Sequence, residues 1–494
     1  MPAATQLTAV IIGAGMSGLL AAIRLKKAGI DRFVILEKQE DVGGTWHDNC
    51  YPGSSCDVPS YLYSYSFAPN PEWTRAFARQ PEIQAYFRRI AEEYGLIPHI
   101  RFGTDVSGAR FDEASGEWTV TATDGESWTG RILIVGVGQL NRPWIPDVPG
   151  RDSFEGIQFH SARWQHDVDL SGKRVASVGN GASAVQYIPE IAPLTEKLTI
   201  FQRSANWIIK RDDKEIPEGV RKLNKALPLL PKFNRLLIYS ILESRWGAFK
   251  TTGGRASKTL EKLAREQLDA QVPDTKLREL LTPDYPVGCK RVLISDDYYP
   301  AVSRPNVEIV TDPIDRVVKD GIITTSGKHV PLDVIVWGTG FDTGGFLMPI
   351  EIVGRGGKRI HDAWAHGAEA FRGVTVSGFP NMFVLYGPNT NLGHNSIIFM
   401  SERQMDYAMK LIEAIMARDL AAIEPKAKVQ AAWNADLQRK LASTVWAAGC
   451  ASWYKHDGKI TNNWSSSTIE FWRQTRRADL ENYELTGRTT QKAA

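Results

Sequence analysis

Two widely separated stretches of this chain share one pattern, and that pattern restricts the folds open to it. In the first, the apolar run Ala9–Ile12 meets Gly13-Ala-Gly-Met-Ser-Gly18, then a helical stretch from Leu19 to Ala28, then Phe33-Val-Ile-Leu-Glu37. In the second, Arg174–Val178 meets Gly179-Asn-Gly-Ala-Ser-Ala184, a helix to about Ile191 and the run Leu198–Phe201. Strand, glycine turn, helix, strand is a βαβ unit, the building block of a parallel sheet with covering helices. The expected fold class is α/β: two Rossmann-like dinucleotide-binding domains with a helical insertion.

The glycines have separate tasks. The first permits the tight strand-to-helix turn, the second lets a pyrophosphate approach the backbone, and the third lets helix and strand pack closely. The helix N-terminus then offers unpaired N–H groups to the phosphates. Gly13, Gly15 and Gly18 match in full, and Glu37 ends the second strand where an acid accepts from ribose hydroxyls. An acid there repels a 2′-phosphate, so the first site reads as FAD or NAD. In the second unit Gly179 and Gly181 are followed by Ala184, which still permits close packing. Its second strand leads to Arg203-Ser204 instead of an acid, a pair suited to a 2′-phosphate. A surface arginine at a strand end is the alternative. The second cofactor reads as NADPH, and hydride transfer from it to a flavin follows naturally.

At 494 residues the chain exceeds the roughly 250–300 over which one core keeps growing. We expect an FAD domain over 1–145 and 370–494, an NADPH domain over 146–211 and 286–369, and a helical insertion over 212–285. In the insertion glycine becomes scarce and Leu, Lys, Arg and Glu dominate. Further strands are expected near Asp112–Gly125 (a hairpin around Gly116), Arg131–Val135, Val307–Val310, Ile322–Thr325 and Val334–Trp337. A helix is expected over Glu402–Arg418, and a polar, poorly ordered tail past Ala478. The net charge of +3 leaves no polyanion footprint, so no nucleic-acid partner is expected. Four cysteines (Cys50, Cys56, Cys289, Cys450) form no C-x-x-C pair and are too dispersed for a disulfide framework. No metal site is expected. The start of the chain does not read as a signal peptide and no window suits a membrane span, so a reducing, cytoplasmic setting is expected.

Before the second unit runs Phe154-Glu-Gly156-Ile-Gln-Phe-His160-Ser-Ala-Arg-Trp164-Gln165. It resembles the fingerprint of type I Baeyer–Villiger monooxygenases, F-x-G-x-x-x-H-x-x-x-W followed by Pro or Asp, and departs at Gln165. Gly43-Gly44-Thr45-Trp46, followed by Tyr51-Pro-Gly-Ser-Ser-Cys-Asp57, is similar to that family's flavin-wrapping motif. The resemblance continues through Gly138-Gln139, Gly338-Thr-Gly-Phe-Asp342 and Gly387-Pro-Asn389, and spans about Val10 to Trp472.

By that resemblance the flavin side would comprise Gly13, Gly15, Ser17, Gly18, Glu37, Lys38, Gly44, Thr45, Trp46, Asp57, Tyr63, Val106 and Gln139. The NADPH side would comprise Gly179, Asn180, Gly181, Ala182, Ser183, Ala184, Gln186, Arg203, Ser204 and Lys290. Trp453 resembles a mobile-loop tryptophan that touches the nicotinamide ribose. Arg291, in Gly288-Cys-Lys-Arg291, resembles the active-site arginine that steadies a flavin C4a-peroxide, with Asp57 as its paired carboxylate. The implied reaction inserts one atom of O₂ beside the carbonyl of a hydrophobic ketone, giving an ester or lactone, with no separate reductase. His160 and Trp164 would serve a hinge. Sulfur or nitrogen oxygenation and unproductive NADPH oxidation remain alternatives. Oligomeric state leaves no trace in the sequence. The apolar run within Lys225–Leu242, flanked by basic residues, reads as a cap over a substrate tunnel or as a membrane-surface helix.

Overall fold

The computed structural model describes residues 7–450 and 452–488. Its frame is two sheets, each built around one glycine unit. The strand Leu7–Ile12 lies parallel to Phe33–Leu36 on one side and to Ser127–Val135 on the other, with Val10 opposite both Val34 and Leu133. Alternate residues serve opposite faces: Ala9 and Ile11 enter one apolar core, Val10 and Ile12 another. A strand buried on both faces reads as an unbroken apolar run, which is why LTAVII shows no polar alternation.

The second sheet has five parallel strands in the order Val307–Val310, Lys197–Phe201, Arg174–Val178, Val334–Trp337, Ile157–His160. It repeats the two-faced arrangement, with Val334 and Val336 in one core and Ile335 and Trp337 in the other. Both expected βαβ units are present, with helices Met16–Lys27 and Ala182–Ile191 as their crossovers. Arg24, Lys26 and Lys27 in the last turn of the first oppose its negative dipole end. The insertion is helical, with helices Glu218–Ala226, Leu229–Ser244, Arg255–Gln271 and Thr275–Leu280.

Several expectations are corrected. The stretch past Ala478 is not a loose tail: Tyr483–Gly487 pairs antiparallel with Leu420–Pro425, and Tyr483 is buried. Its partner is remote in sequence, and its other residues are exposed, so no apolar run betrays it. Residues 489–494 lie outside the described ones. The hairpin around Gly116 begins earlier than expected, with strands Val106–Asp112 and Glu117–Ala122. Glu351–Val353, placed above in the NADPH domain, joins the edge of the first sheet beside Val106–Asp112. The helix expected from Glu402 starts at Ile397, where the Ser396 hydroxyl caps the Ile398 N–H. Finally, Cys289 and Cys450 form a disulfide across a separation of 161 residues, a pairing that a chain expected to hold reduced thiols did not announce. Among the described residues no helix is long and apolar enough to cross a membrane.

Candidate active site

Both glycine turns follow the carboxyl ends of parallel strands and open on one cavity of about 1520 Å³. A pocket for one drug-sized ligand measures roughly 300–1,000 Å³, so this space exceeds what one such ligand needs. The turns exclude side chains by contact. Gly13 adopts φ +94°, and a Cβ on Gly18 would sit 1.8 Å from the Gly13 carbonyl oxygen. In the second unit Ala184 occupies the equivalent place, wholly buried, and tolerates its methyl.

On the first side, two backbones meet without side chains between them: a Cβ on Gly44 would lie 3.1 Å from Gly15 Cα. Glu37 is buried beside this cradle. One carboxylate oxygen accepts from Ala14 N (2.6 Å), the other from Gln39 N (3.0 Å). Burial raises its pKa and these bonds oppose the rise. A carboxylate has about four lone-pair sites, so capacity remains for a ribose diol. Trp46 Nε1 donates to the Tyr63 hydroxyl (2.8 Å), fixing the helix start that follows Gly44. These residues fit FAD.

On the second side, Lys290 Nζ donates to Ser204 Oγ (2.9 Å), next to Arg203. Burial, then the Arg203 charge, lowers the Lys290 pKa. Crowded cations at the end of a Rossmann strand favour an anion between them, and the set fits the 2′-phosphate of NADPH. Asn180 Nδ2 donates to the Ser204 carbonyl (2.9 Å) and holds the turn.

Between the two sides lies the Arg291–Asp57 pair. Arg291 Nε donates to Asp57 Oδ2 (3.1 Å), and a second guanidinium nitrogen also reaches that oxygen. Both side chains are deep in the molecule but face the cavity, which leaves 42% of Arg291 and 30% of Asp57 accessible. Burial raises the Asp57 pKa, and the Arg291 charge and hydrogen bonds overcome it, holding the carboxyl below its ordinary range. The Asp57 charge in turn raises the Arg291 pKa against burial. The site thus keeps a permanent cation aimed at the space between the two nucleotide loops.

Of the residues expected at the site, all but Gly18 and Ala184 line the cavity, and those two are the packing positions. Gln186 spends much of its carboxamide between the units: it accepts from the Tyr51 hydroxyl (3.0 Å) and donates to the Ser55 carbonyl (2.9 Å). Sequence reasoning missed Arg211, which donates to the Cys56 carbonyl (3.1 Å) and lends Asp57 a second positive charge. It also missed Tyr386 and Tyr454 beside Arg291; burial pushes Tyr454 up to about 12. No local motif marks any of the three.

The fingerprint 154–165 is structural. A Cβ on Gly156 would lie 2.5 Å from the Asp333 carbonyl oxygen, and Trp164 packs edge-on to Phe159 (5.1 Å). The departing residue, Gln165, is exposed and does not line the cavity. His160 Nδ1 accepts from Ala162 N (3.0 Å), so the neutral ring carries its proton on Nε2. Burial lowers its pKa to about 4. A base whose folded pKa is depressed adds stability above its unfolded pKa, near 6.5, and loses it as pH falls from there to about 4. Thermal melts across that window should show falling stability, with a shallower fall in His160→Gln; equal slopes would refute the assignment.

The Cys289–Cys450 disulfide ties the segment bearing Lys290 and Arg291 to the loop bearing Trp453. Removing a disulfide typically costs about 2–4 kcal/mol. Cys289→Ser should therefore melt a few degrees lower than the oxidised wild type. The difference should vanish when both are scanned in dithiothreitol; a difference that persists would assign the loss to packing.

Residues 6–223 match the family model described as flavin-binding monooxygenase-like. The chain is 42% identical over 478 residues to a Streptomyces coelicolor protein named Baeyer-Villiger monooxygenase, covering 96% of this chain and 92% of that one. Among solved structures it resembles an oxidized steroid monooxygenase bound to NADP, with TM-score 0.87 and 33% identity over 98% of this chain and 100% of the other. It also resembles the OTEMO complex with FAD and NADP, with TM-score 0.88 and 30% identity over 97% and 99% of the two chains.

Proposed function

This chain belongs to the flavin-binding monooxygenase-like family, an FAD- and NADPH-dependent class B monooxygenase, and from that premise we propose that its reaction is the Baeyer–Villiger oxidation of a hydrophobic ketone. The observation that supports this reading is the Arg291–Asp57 pair facing the cavity between the two nucleotide turns. Bound FAD supplies the oxygen-transfer chemistry, with O₂ as the oxygen source and NADPH as the source of hydride.

The chain's own residues do the rest. Arg291 holds a fixed positive charge where negative charge develops on the substrate oxygen, and such a preorganised cation acts most strongly in a site shielded from water. Asp57 keeps the guanidinium oriented and compensates its charge in the buried site. Arg203, Ser204 and Lys290 select the phosphorylated nicotinamide nucleotide. Phe249, Trp453 and Tyr454 line the cavity with aromatic surface that excludes water and suits an apolar substrate. With both nucleotide loops on one cavity, no separate reductase is required.

The test is NADPH and O₂ consumption by the purified protein with cyclic, linear and aryl ketones and a thioether, with products analysed by mass. An ester or lactone in proportion to NADPH consumed is the expected result. Sulfoxide alone would move the assignment to heteroatom oxygenation, and hydrogen peroxide alone to unproductive oxidation.

A further inference from the structure

The helix Leu229–Ser244 carries apolar side chains on both faces, and only Pro231 and Leu242 of them are fully buried. Its exposed stripe is apolar: Leu229 is 76% exposed, Phe233 64% and Leu236 61%, and Leu237 and Ile241 continue it. These positions recur at the spacing of one helical face. Its charged Arg235 points the other way, into the protein, where Nη1 donates to the carbonyls of Leu62 and Ser64 (both 2.7 Å). An ordinary surface helix keeps its apolar residues on the covered face alone, whereas this one exposes a second apolar stripe.

The neighbouring helices extend the same surface. Val220, Leu223 and Leu227 on and just after Glu218–Ala226 are exposed. So are Ile469 and Trp472 on the helix Thr468–Thr475. That helix docks on Glu243 of Leu229–Ser244, through Thr468 N (2.8 Å). A contiguous apolar face of this kind marks an interaction surface.

Charge identifies the occupant. Residues 218–250 contain seven Lys or Arg and two Asp or Glu, a net of +5 in a chain whose total is +3. Glu243 is turned inward to Thr468 and Asn395, as Arg235 is to the Leu62 and Ser64 carbonyls, and the remaining six basic residues and one acid keep the net at +5. Lys222 and Lys225 pair with Glu218 and Glu72 only at the surface, contacts weak enough in water to exchange for lipid phosphate. A second copy of this chain would set like charges against each other around a two-fold axis. An anionic bilayer complements both the apolar stripe and its basic rim.

We propose that this three-helix face docks peripherally on an anionic lipid surface, with Phe233, Leu236 and Trp472 entering the headgroup boundary. The same helix continues into the cavity wall through Leu242, so docking would place the active-site cavity beside the phase in which an apolar substrate dissolves. The docking surface does not depend on which substrate the site oxidises.

The experiment is co-sedimentation of the FAD-loaded protein with vesicles of phosphatidylcholine alone and of phosphatidylcholine with phosphatidylglycerol, at low and high salt. Binding to the anionic vesicles is expected, weakened by salt and by omission of phosphatidylglycerol. Phe233→Glu/Leu236→Glu should reduce the partition coefficient by about tenfold or more while keeping the flavin absorbance of the wild type. Should that variant lose its flavin, Lys222→Glu/Lys232→Glu serves instead and should abolish the preference for phosphatidylglycerol. No binding by the wild type, or equal binding by a folded variant, overturns the proposal. A dimer in sedimentation velocity that Phe233→Glu/Leu236→Glu turns into a monomer, without vesicle binding, assigns the face to a second copy and also overturns it.

Discussion

Arg291→Ala should leave NADPH-driven reduction of the flavin near the wild-type rate and cut ester formation by about 10²–10³-fold, the usual cost of losing one preorganised oxyanion partner. The split follows from geometry. The groups that fit the 2′-phosphate, Arg203, Ser204 and Lys290, stay in place when the guanidinium is removed. Fold loss is not the expected cause, because without the guanidinium burial raises the Asp57 pKa and favours its neutral carboxyl, so no buried charge is left uncompensated, and Arg211 remains a positive neighbour. Oxygen consumed without productive transfer should appear as hydrogen peroxide. Arg291→Lys should recover only part of the activity: lysine restores the charge but not the planar fork that reaches Asp57 with two nitrogens. Single-turnover reduction measured without oxygen, beside product yield with oxygen, separates the two steps. Normal ester yield in Arg291→Ala would remove this arginine from the mechanism.

Arg203→Ala/Lys290→Ala should lower kcat/KM for NADPH by about 10²–10⁴-fold and leave kcat/KM for NADH almost unchanged. Each charge-assisted contact to a phosphate contributes about 1.5–3 kcal/mol, and two are removed. NADH has no 2′-phosphate to lose them. Lys290 is the more informative of the pair, because burial and Arg203 already lower its pKa: relief of that repulsion by a bound phosphate should raise it. Flavin reduction followed at varied NADPH and NADH concentrations decides the matter. Equal losses with both nucleotides would mean that the substitutions disturb the turn held by Asn180 rather than phosphate recognition.

Much of the site was legible because its parts are local. A glycine turn between a buried strand and a helix leaves its signature within a few residues, as Gly13–Gly18 and Gly179–Ala184 do. Arg291 and Asp57 were legible for another reason, resemblance of their flanking segments to a family. Nothing in the spacing of the two residues says that they meet. The helices of the insertion were readable from composition, but the sequence left open whether the apolar run within Lys225–Leu242 covers a tunnel or faces outward. Whether Phe233 or Arg235 faces the protein depends on which side of the helix finds partners, and Arg235 found the Leu62 and Ser64 carbonyls.

The sequence by itself determined the two dinucleotide units, the acid at Glu37 against the Arg203-Ser204 pair that ends the second, and the helical insertion, since each rests on residues near one another in the chain. Tertiary structure alone decided that both units open on one cavity, that Arg211 and Tyr454 gather around the Arg291–Asp57 pair, and that Tyr483–Gly487 finds Leu420–Pro425. It also decided that Cys289 reaches Cys450. The physical reason is that these contacts join segments far apart in sequence. Their free energy comes from burial and charge pairing that exist only once the sheets have assembled, so no local propensity records them.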